Sequence, residues 1–307
     1  MRRHPQSRNP TLLCRDRRGQ RVFVKSAVRD DPGIAHERVV LRALQSIADA
    51  PVPRVLHSTR GTIALRWLEG RTLWDGRRLG SRPPDAAIGA ALAQVQLAGR
   101  QAVSAFVVKG DLAQRLLWTS PELYASLGKA SLSLFRQVHA SRPALRALTA
   151  LIEGETAERA LLSHGDLRQP NIMVHRGRVT FLDWELCGLG DPARDLGMLI
   201  AEDVRAWLSP RDEKEVQSRE ALEQHARCLV ESWERTMAEL GFTPAADHRQ
   251  RVLGWTGEAL LRAAFSLTHH EARLPQVLVD AAIAMLESPG EAARELLGDE
   301  QDNRGPP

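Results

Sequence analysis

The sequence predicts an α+β fold of two lobes, in which a small mixed sheet precedes a larger and mainly helical part. Three observations support this prediction. Residues 11–70 alternate short apolar runs with polar turns, as strands do. From residue 85 onward, apolar side chains recur at helical spacing, and residues 172–183 interrupt that pattern with one more hairpin. We place the lobes at residues 1–70 and 71–296, with 297–307 as a frayed tail.

The N-terminal lobe is predicted to contain two hairpins and one helix. Residues 11–25 hold two apolar runs around a polar turn with Gly19, which suits left-handed backbone. A helix begins at residues 31–33, and residues 55–65 form the second hairpin. The apolar residues of the helix recur at helical spacing: Val40, Leu41, Leu44 and Ile47.

The C-terminal lobe is predicted to be helical around the hairpin of residues 172–182. Residues 71–83 are rich in Gly, Arg and Pro, and we predict a connector there. The predicted helices are 87–97, 121–139, 142–162, 195–208, 212–240, 249–269 and 275–287.

The composition is that of a soluble globular protein, with 43% apolar and 26% charged residues. Lys and Arg number 42 against 38 Asp and Glu, and no run of one charge forms a stripe, so no nucleic-acid partner is expected. No signal peptide or apolar stretch of about 18 residues is present, so no membrane association is expected. Three Cys without a CxxC pattern indicate reduced, buried thiols in a cytoplasmic protein. The oligomeric state stays open.

Three side chains have the spacing of a phosphoryl-transfer site. Asp166 lies five residues before Asn171, in a stretch closed by Pro170. Asn171 opens a hairpin whose other end is Asp183, and the two ends of a tight hairpin lie close together. One amide and one carboxylate oxygen suit Mg²⁺, which takes few ligands from protein. Asp166 is predicted to be the base that accepts the proton of an attacking hydroxyl.

A second pair of residues supports the same chemistry. Lys25 ends a strand of the N-terminal lobe, and burying an ammonium group without a partner is costly. Glu37, on the following helix, is the natural partner, and the pair would hold Lys25 against nucleotide phosphates. His164, two residues before Asp166, is interpreted as a hydrogen-bonding brace for the loop.

With these residues the sequence resembles the aminoglycoside phosphotransferase and choline kinase family, relatives of protein kinases. The resemblance covers most of residues 6–200 and is strongest at 164–171, 181–185 and 190–196. It implies a bilobal protein-kinase-like fold with ATP between the lobes. It also implies that Asp195 hydrogen-bonds the backbone of the catalytic loop.

The resemblance further implies the nucleotide contacts. Arg66, Trp67 and Leu68 would form the hinge whose backbone meets adenine. The sequence lacks the G-x-G-x-x-G loop, and residues 6–11 resemble a Ser-Asn-Pro-Thr variant in which Ser7 and Asn9 would cap phosphates. Gln96 stands where relatives usually have His, and the sequence suggests no mechanism for this difference.

The sequence therefore predicts an ATP- and Mg²⁺-dependent phosphotransferase that acts on a hydroxyl of a small molecule, either an antibiotic or a metabolite. Two alternatives stay open. One is a kinase for Ser or Thr of a peptide in natural-product biosynthesis, and the other is an ATP-binding pseudokinase scaffold.

The acceptor pocket is predicted less sharply. Trp74 and Trp118 are candidates to line it. An acidic run could attract a cationic sugar, although a solvated helix face is the favoured interpretation. The run consists of Glu202, Asp203, Asp212, Glu213 and Glu215.

Overall fold

The computed structural model of the chain describes residues 10–28, 32–78, 84–103, 112–154, 160–209, 218–267 and 273–298. Several predicted site residues therefore lie outside the described residues. They are Ser7 and Asn9 of the phosphate-capping loop, and Asp212, Glu213 and Glu215 of the acidic run.

Four antiparallel strands form the N-terminal sheet in the order β1-β2-β4-β3. The strands are β1 (Thr11–Arg15), β2 (Arg21–Ser26), β3 (Val55–Ser58) and β4 (Thr62–Arg66). Helix α1 (Pro32–Leu44) buries Ile34, Val40, Leu41 and Leu44 and packs against β3 and β4. Both predicted hairpins and the predicted helix are confirmed. Lys25 pairs with Thr11 on one side and Ile63 on the other, which places it on an inner strand.

The predicted connector is wrong in part, because residues 71–78 are structured. Strand β5 (Arg71–Thr72) pairs with a later strand, and helix α2 (Leu73–Arg78) follows. The hydroxyl of Thr72 accepts from the backbone N–H of Asp75 at 3.1 Å and donates to its carboxylate at 2.7 Å. This capping arrangement starts the helix and was hidden by the Gly and Arg content of the segment.

The remaining helices confirm a mainly helical C-terminal part. They are α3 (Asp85–Ala102), α4 (Leu112–Leu117), α5 (Pro121–Ser126), α6 (Lys129–Ala140), α7 (Arg142–Glu153), α8 (Ala193–Leu208), α9 (Arg219–Glu239), α10 (His248–Ser266), α11 (Arg273–Glu287) and α12 (Pro289–Leu297). The helix predicted at 121–139 is two helices, because the chain is extended at Leu127 and Gly128.

The helix predicted at 142–162 ends early. Helix α7 stops at Glu153, and residues Leu161–Ser163 form strand β6, which pairs with β9 (Gly188–Gly190). Leu161, Leu162 and Ser163 are all fully buried. A strand buried on both faces shows no alternation of apolar and polar residues, so periodicity alone cannot separate it from a helix.

The hairpin after β6 is confirmed. Strands β7 (Ile172–His175) and β8 (Arg178–Phe181) pair in antiparallel register, with Ile172 opposite Phe181. A 3₁₀ turn (Gln169–Asn171) precedes β7, and a second one (Trp184–Leu186) follows β8. This hairpin therefore carries the predicted site residues at its two open ends.

Helix α12 was not predicted, and it changes the interpretation of the C-terminus. Leu297 is its last residue and is 1% exposed, although we predicted that the frayed tail starts there. The rest of the predicted tail, residues 299–307, lies outside the described residues. The N-terminal proline of the helix, Pro289, suits the first turn, where no N–H bond is lost.

The core of the C-terminal lobe lies between packed helices. Helix α10 packs against α8 and α11, and α3 packs against α9. Trp184, Trp233 and Trp255 are each at most 1% exposed and fill this core. The three cysteines are free thiols, but only Cys187 is buried, so the prediction of buried thiols holds for one of them. Among the described helices, none combines the length and apolar character needed to cross a bilayer.

Candidate active site

The loop between β6 and the first 3₁₀ turn is held by one buried carboxylate. Asp195, on α8, is fully buried. Its carboxylate accepts from His164 N at 2.8 Å, from Gly165 N at 3.2 Å and from Ser163 Oγ at 3.0 Å. The expected contact between Asp195 and the loop backbone is confirmed. Two backbone amides and a hydroxyl thus fix the loop just before Asp166.

His164 braces the loop, as predicted. Its Nε2 lies 2.7 Å from the carbonyl oxygen of Leu182, which can only accept, so Nε2 carries the proton. The other ring nitrogen, Nδ1, then accepts from Asp166 N at 3.4 Å. Gly165 has a φ of 78°, and a Cβ there would collide with the backbone oxygen of Leu186. The turn therefore requires glycine at this position.

Asn171 contacts Asp166 directly, and the backbone next to Asp183 contacts Asn171. Asn171 Nδ2 donates to Asp166 O at 2.9 Å and lies 3.4 Å from its Oδ2. Leu182 N donates to Asn171 O at 2.8 Å, which brings Asp183 beside Asn171. Asp183 has a φ of 67°, a left-handed conformation that strained site residues often adopt.

The oxygen atoms available as metal ligands at this place suit magnesium. Because the carbonyl of Asp166 can only accept, the amide nitrogen of Asn171 must face it, and its Oδ1 remains as an acceptor. The Asp183 side chain is 33% exposed and adds carboxylate oxygens. Within the described ranges, no group of three or more His, Cys, Asp or Glu could hold a metal by itself. One amide and one carboxylate fit a Mg²⁺ ion whose other ligands are phosphate and water.

Lys25 joins the two lobes. Its Nζ lies 2.8 Å from Glu37 Oε2 and also contacts Asp183 Oδ1. Burial disfavours the charged ammonium, but Glu37 and Asp183 outweigh it and raise the pKa of Lys25. Burial raises the pKa of Glu37, and Lys25 opposes part of that effect. The lysine is therefore charged and lies beside the predicted metal ligand.

The sequence of residues 2–229 matches the sequence model of the family described as "Phosphotransferase enzyme family", abbreviated APH. That span is well over half of the 307 residues. The chain belongs to this family.

Solved structures of the family share the fold. A choline/ethanolamine kinase family protein from Mesorhizobium loti has a TM-score of 0.57 and 18% identity, and the similarity covers 97% of this chain and 91% of that one. The macrolide 2'-phosphotransferase MphH from Brachybacterium faecium has a TM-score of 0.53 and 19% identity, covering 92% of this chain and 91% of that one.

A thermostable mutant of aminoglycoside phosphotransferase APH(4)-Ia, solved with ADP and hygromycin B, has a TM-score of 0.55 and 19% identity, covering 92% of each chain. These likenesses confirm the predicted bilobal protein-kinase-like fold. In a search of curated protein sequences, none matches the chain.

The predicted hinge follows the last strand of the N-terminal sheet. Trp67 N donates to Arg21 O at 3.3 Å, so the pairing of β2 with β4 continues one residue beyond β4. The Arg21 guanidinium lies 5.9 Å from the centre of the Trp67 ring. Arg66 is exposed and Leu68 is half-buried. Contact between residues 66–68 and adenine stays a prediction, as it does for other family-implied nucleotide contacts.

The acceptor side contains an arginine that the sequence analysis did not single out. Arg168 Nη2 donates to Asp166 Oδ2 at 2.9 Å, and the Arg168 side chain is 51% exposed. Its position two residues after Asp166 is the sequence feature that could have identified it. The predicted base is therefore paired with a solvent-accessible cation.

Two members of the acidic run hold the catalytic loop. Glu202 Oε2 accepts from Gln169 N at 3.1 Å, and Asp203 Oδ1 accepts from Gln169 Nε2 at 3.0 Å. The favoured interpretation of a solvated helix face is wrong for Asp203, which is 6% exposed. Trp118, a candidate for the acceptor pocket, is 62% exposed.

Proposed function

We propose that this chain is an ATP- and magnesium-dependent phosphotransferase that moves the γ-phosphate of ATP to a hydroxyl of a small molecule. The observation that supports it most is the contact of Asn171 with Asp166, together with the contact of Asp183 with Lys25 of the N-terminal sheet. Membership of the phosphotransferase family supports the reaction class. Structures with the same fold include a macrolide 2'-phosphotransferase and a choline/ethanolamine kinase family protein.

The proposed reaction uses the chain's own groups for positioning and proton transfer. Asp166 accepts the proton of the attacking hydroxyl as that oxygen bonds to the γ-phosphorus and the bond to ADP breaks. ADP leaves with the electron pair. Lys25, held by Glu37, would contact the α and β phosphates. Magnesium, when held by Asn171 and Asp183, would neutralise charge on the phosphate oxygens.

The first test is removal of the proposed base. Asp166→Ala is expected to lower turnover by about 10²- to 10⁴-fold, because a positioned base contributes that much. ATP should still bind, since Lys25 and Asp183 are unchanged, and calorimetry with Mg-ATP measures this. Asp280→Asn, an exposed carboxylate on α11, is the matched control. Wild-type turnover by Asp166→Ala would show that another group is the base.

A panel of candidate molecules tests which class of compound accepts the phosphate. Candidates are an aminoglycoside, a macrolide, choline, ethanolamine, and Ser- or Thr-containing peptides, each incubated with Mg-ATP. Addition of one phosphate, detected by mass spectrometry, identifies the acceptor class. A product formed only on the peptides would favour the peptide kinase. ATP binding without transfer or hydrolysis would favour the pseudokinase scaffold, against which the intact pair of Lys25 and Glu37 argues.

A further inference from the structure

A buried glutamine joins the catalytic loop to the C-terminal helices. Gln96, on α3, is 1% exposed. Its Nε2 donates to Asp195 Oδ2 at 2.9 Å and lies 3.4 Å from Pro192 O. Its Oε1 accepts from the indole N–H of Trp233 at 2.8 Å. Every polar atom of the amide therefore has a partner.

The partners fix the orientation of this amide. A carboxylate and a carbonyl oxygen can only accept, and an indole N–H can only donate, so the nitrogen must face Asp195 and the oxygen must face Trp233. A flipped amide would lose all three contacts. Leu has a similar size but no polar atom, so it could fill the space without making any of these bonds.

The contact with Asp195 is the important one, because Asp195 fixes the loop. One of its oxygens, Oδ2, accepts from both His164 N and Gln96 Nε2. The other, Oδ1, accepts from Ser163 Oγ and Gly165 N. All these bonds require one rotamer of Asp195, and Gln96 makes its bond from α3, a helix that carries none of the loop residues. It therefore stabilises the rotamer that the loop needs.

We propose that Gln96 is a positioning residue for phosphoryl transfer, which orients Asp195 and, through it, the loop that carries Asp166. This inference rests on the proposed function of the site. Gln96 touches no substrate in this proposal and acts only through Asp195.

Trp233 extends the same chain of contacts into helices beyond the catalytic motifs. It lies on α9 and is fully buried. Its ring stacks on His248, the first residue of α10, with centroids 4.4 Å apart and planes 13° apart. Loss of the indole N–H would leave the Gln96 oxygen buried without a donor, so α9 contributes to the geometry of the loop.

The test compares Gln96→Leu with two matched variants on the same helix. Gln94→Leu changes an exposed glutamine. Leu92→Ala opens a cavity at a residue that is 1% exposed, and it destabilises α3 while leaving the Gln96 side chain unchanged. The activity readout is hydrolysis of Mg-ATP, with water as the acceptor. The structural readout is amide hydrogen exchange of the peptide that contains His164 and Gly165, which does not depend on catalysis.

Gln96→Leu is expected to speed exchange at these two amides by about tenfold, because a charge-assisted bond that fixes their acceptor is lost. It should lower kcat by about tenfold or more and leave KM for Mg-ATP within about twofold, the pattern for a transition-state effect. Leu92→Ala should lower the melting temperature at least as much but leave loop exchange and kcat near wild type.

Equal loop exchange and equal kcat in Gln96→Leu and Leu92→Ala would overturn the inference, since Gln96 would then only fill the core. If Gln96→Leu does not fold, Trp233→Phe replaces it, because it removes one N–H and keeps a ring against His248. It should raise loop exchange in the same direction, and unchanged exchange would contradict the proposal. A wild-type protein that neither hydrolyses ATP nor phosphorylates any acceptor would overturn the proposed function, while the exchange result would still decide the link between Gln96 and the loop.

Discussion

Replacing Lys25 with Met should destabilise the protein strongly, and the structure gives the reason. Glu37 is fully buried, and Lys25 is its ion-pair partner at 2.8 Å. Removing the lysine leaves a buried carboxylate without compensation, which costs about 3–5 kcal/mol. The second partner, Asp183, has a side chain that is 33% exposed. Water can replace the lysine there, so that contact adds only about 0–1 kcal/mol.

The double variant Lys25→Met with Glu37→Leu should recover most of this loss. Buried ion pairs replaced by apolar side chains of similar size are often neutral or more stable. We expect the double variant to lie within about 1–2 kcal/mol of wild type. The assay is urea unfolding in EDTA without nucleotide. Arg219→Met, at an exposed ion pair with Glu223, is the control and should not shift the midpoint.

The pH dependence of stability tests whether the buried carboxylate of Glu37 causes the loss in Lys25→Met. Burial raises the pKa of Glu37 while Lys25 lowers it, so in Lys25→Met the pKa rises further. When the pKa of a carboxyl group is higher in the folded protein than its unfolded value of about 4.3, the protein loses stability as the pH rises through the folded pKa. The gap between wild type and Lys25→Met should therefore be larger at about pH 8 than at about pH 5.5. The same gap at both pH values, or a double variant no more stable than Lys25→Met, would refute the reasoning.

Three further outcomes are expected. Gly165→Ala should lower both the melting temperature and ATP turnover. Gly177 has the same φ of 78°, but a Cβ added there would meet no atom within 4 Å, so Gly177→Ala should lower the melting temperature only slightly. Burial lowers the pKa of His248, so its effect on the free energy of unfolding should be fully present above about pH 6.5. Below that pH, the free energy of unfolding should fall by up to about 1.4 kcal/mol per pH unit, and His248→Gln should remove this slope in urea titrations. Nucleotide-free Lys25→Met should bind Mn²⁺ more tightly than wild type by calorimetry, because the ammonium no longer occupies Asp183; weaker binding would contradict this.

Much of the candidate site could be predicted because its residues are close along the chain or across one hairpin. Asn171 and Asp183 were expected to lie near each other because they flank a hairpin, and Leu182 N, next to Asp183 in the chain, donates to Asn171 O at 2.8 Å. The pairing of Lys25 with Glu37 was expected because a buried ammonium needs a carboxylate, and only 12 residues separate them.

The other contacts depend on packing between distant helices, which the sequence does not specify. Gln96 lies 99 residues from Asp195 and 137 from Trp233 in sequence. In the sequence it is one polar residue on a mostly apolar helix, and no local pattern shows which helix it faces. Strand β6 was missed for a related reason, since three fully buried residues carry no alternation.

The charged side chains of the site fall into an exposed set and a buried set. Asp166 is paired with Arg168, and Asp183 is paired with Lys25. The side chains of Asp166, Asp183 and Arg168 are 23%, 33% and 51% exposed, so a hydroxyl, a cation or a phosphate can reach and replace these partners. Glu37 and Asp195 are both fully buried and are held by contacts within the chain, Glu37 by Lys25 and Asp195 by the loop and Gln96. Under the proposed function, substrate binding would exchange partners at the exposed groups, while the buried carboxylates would keep Lys25 and the loop in place.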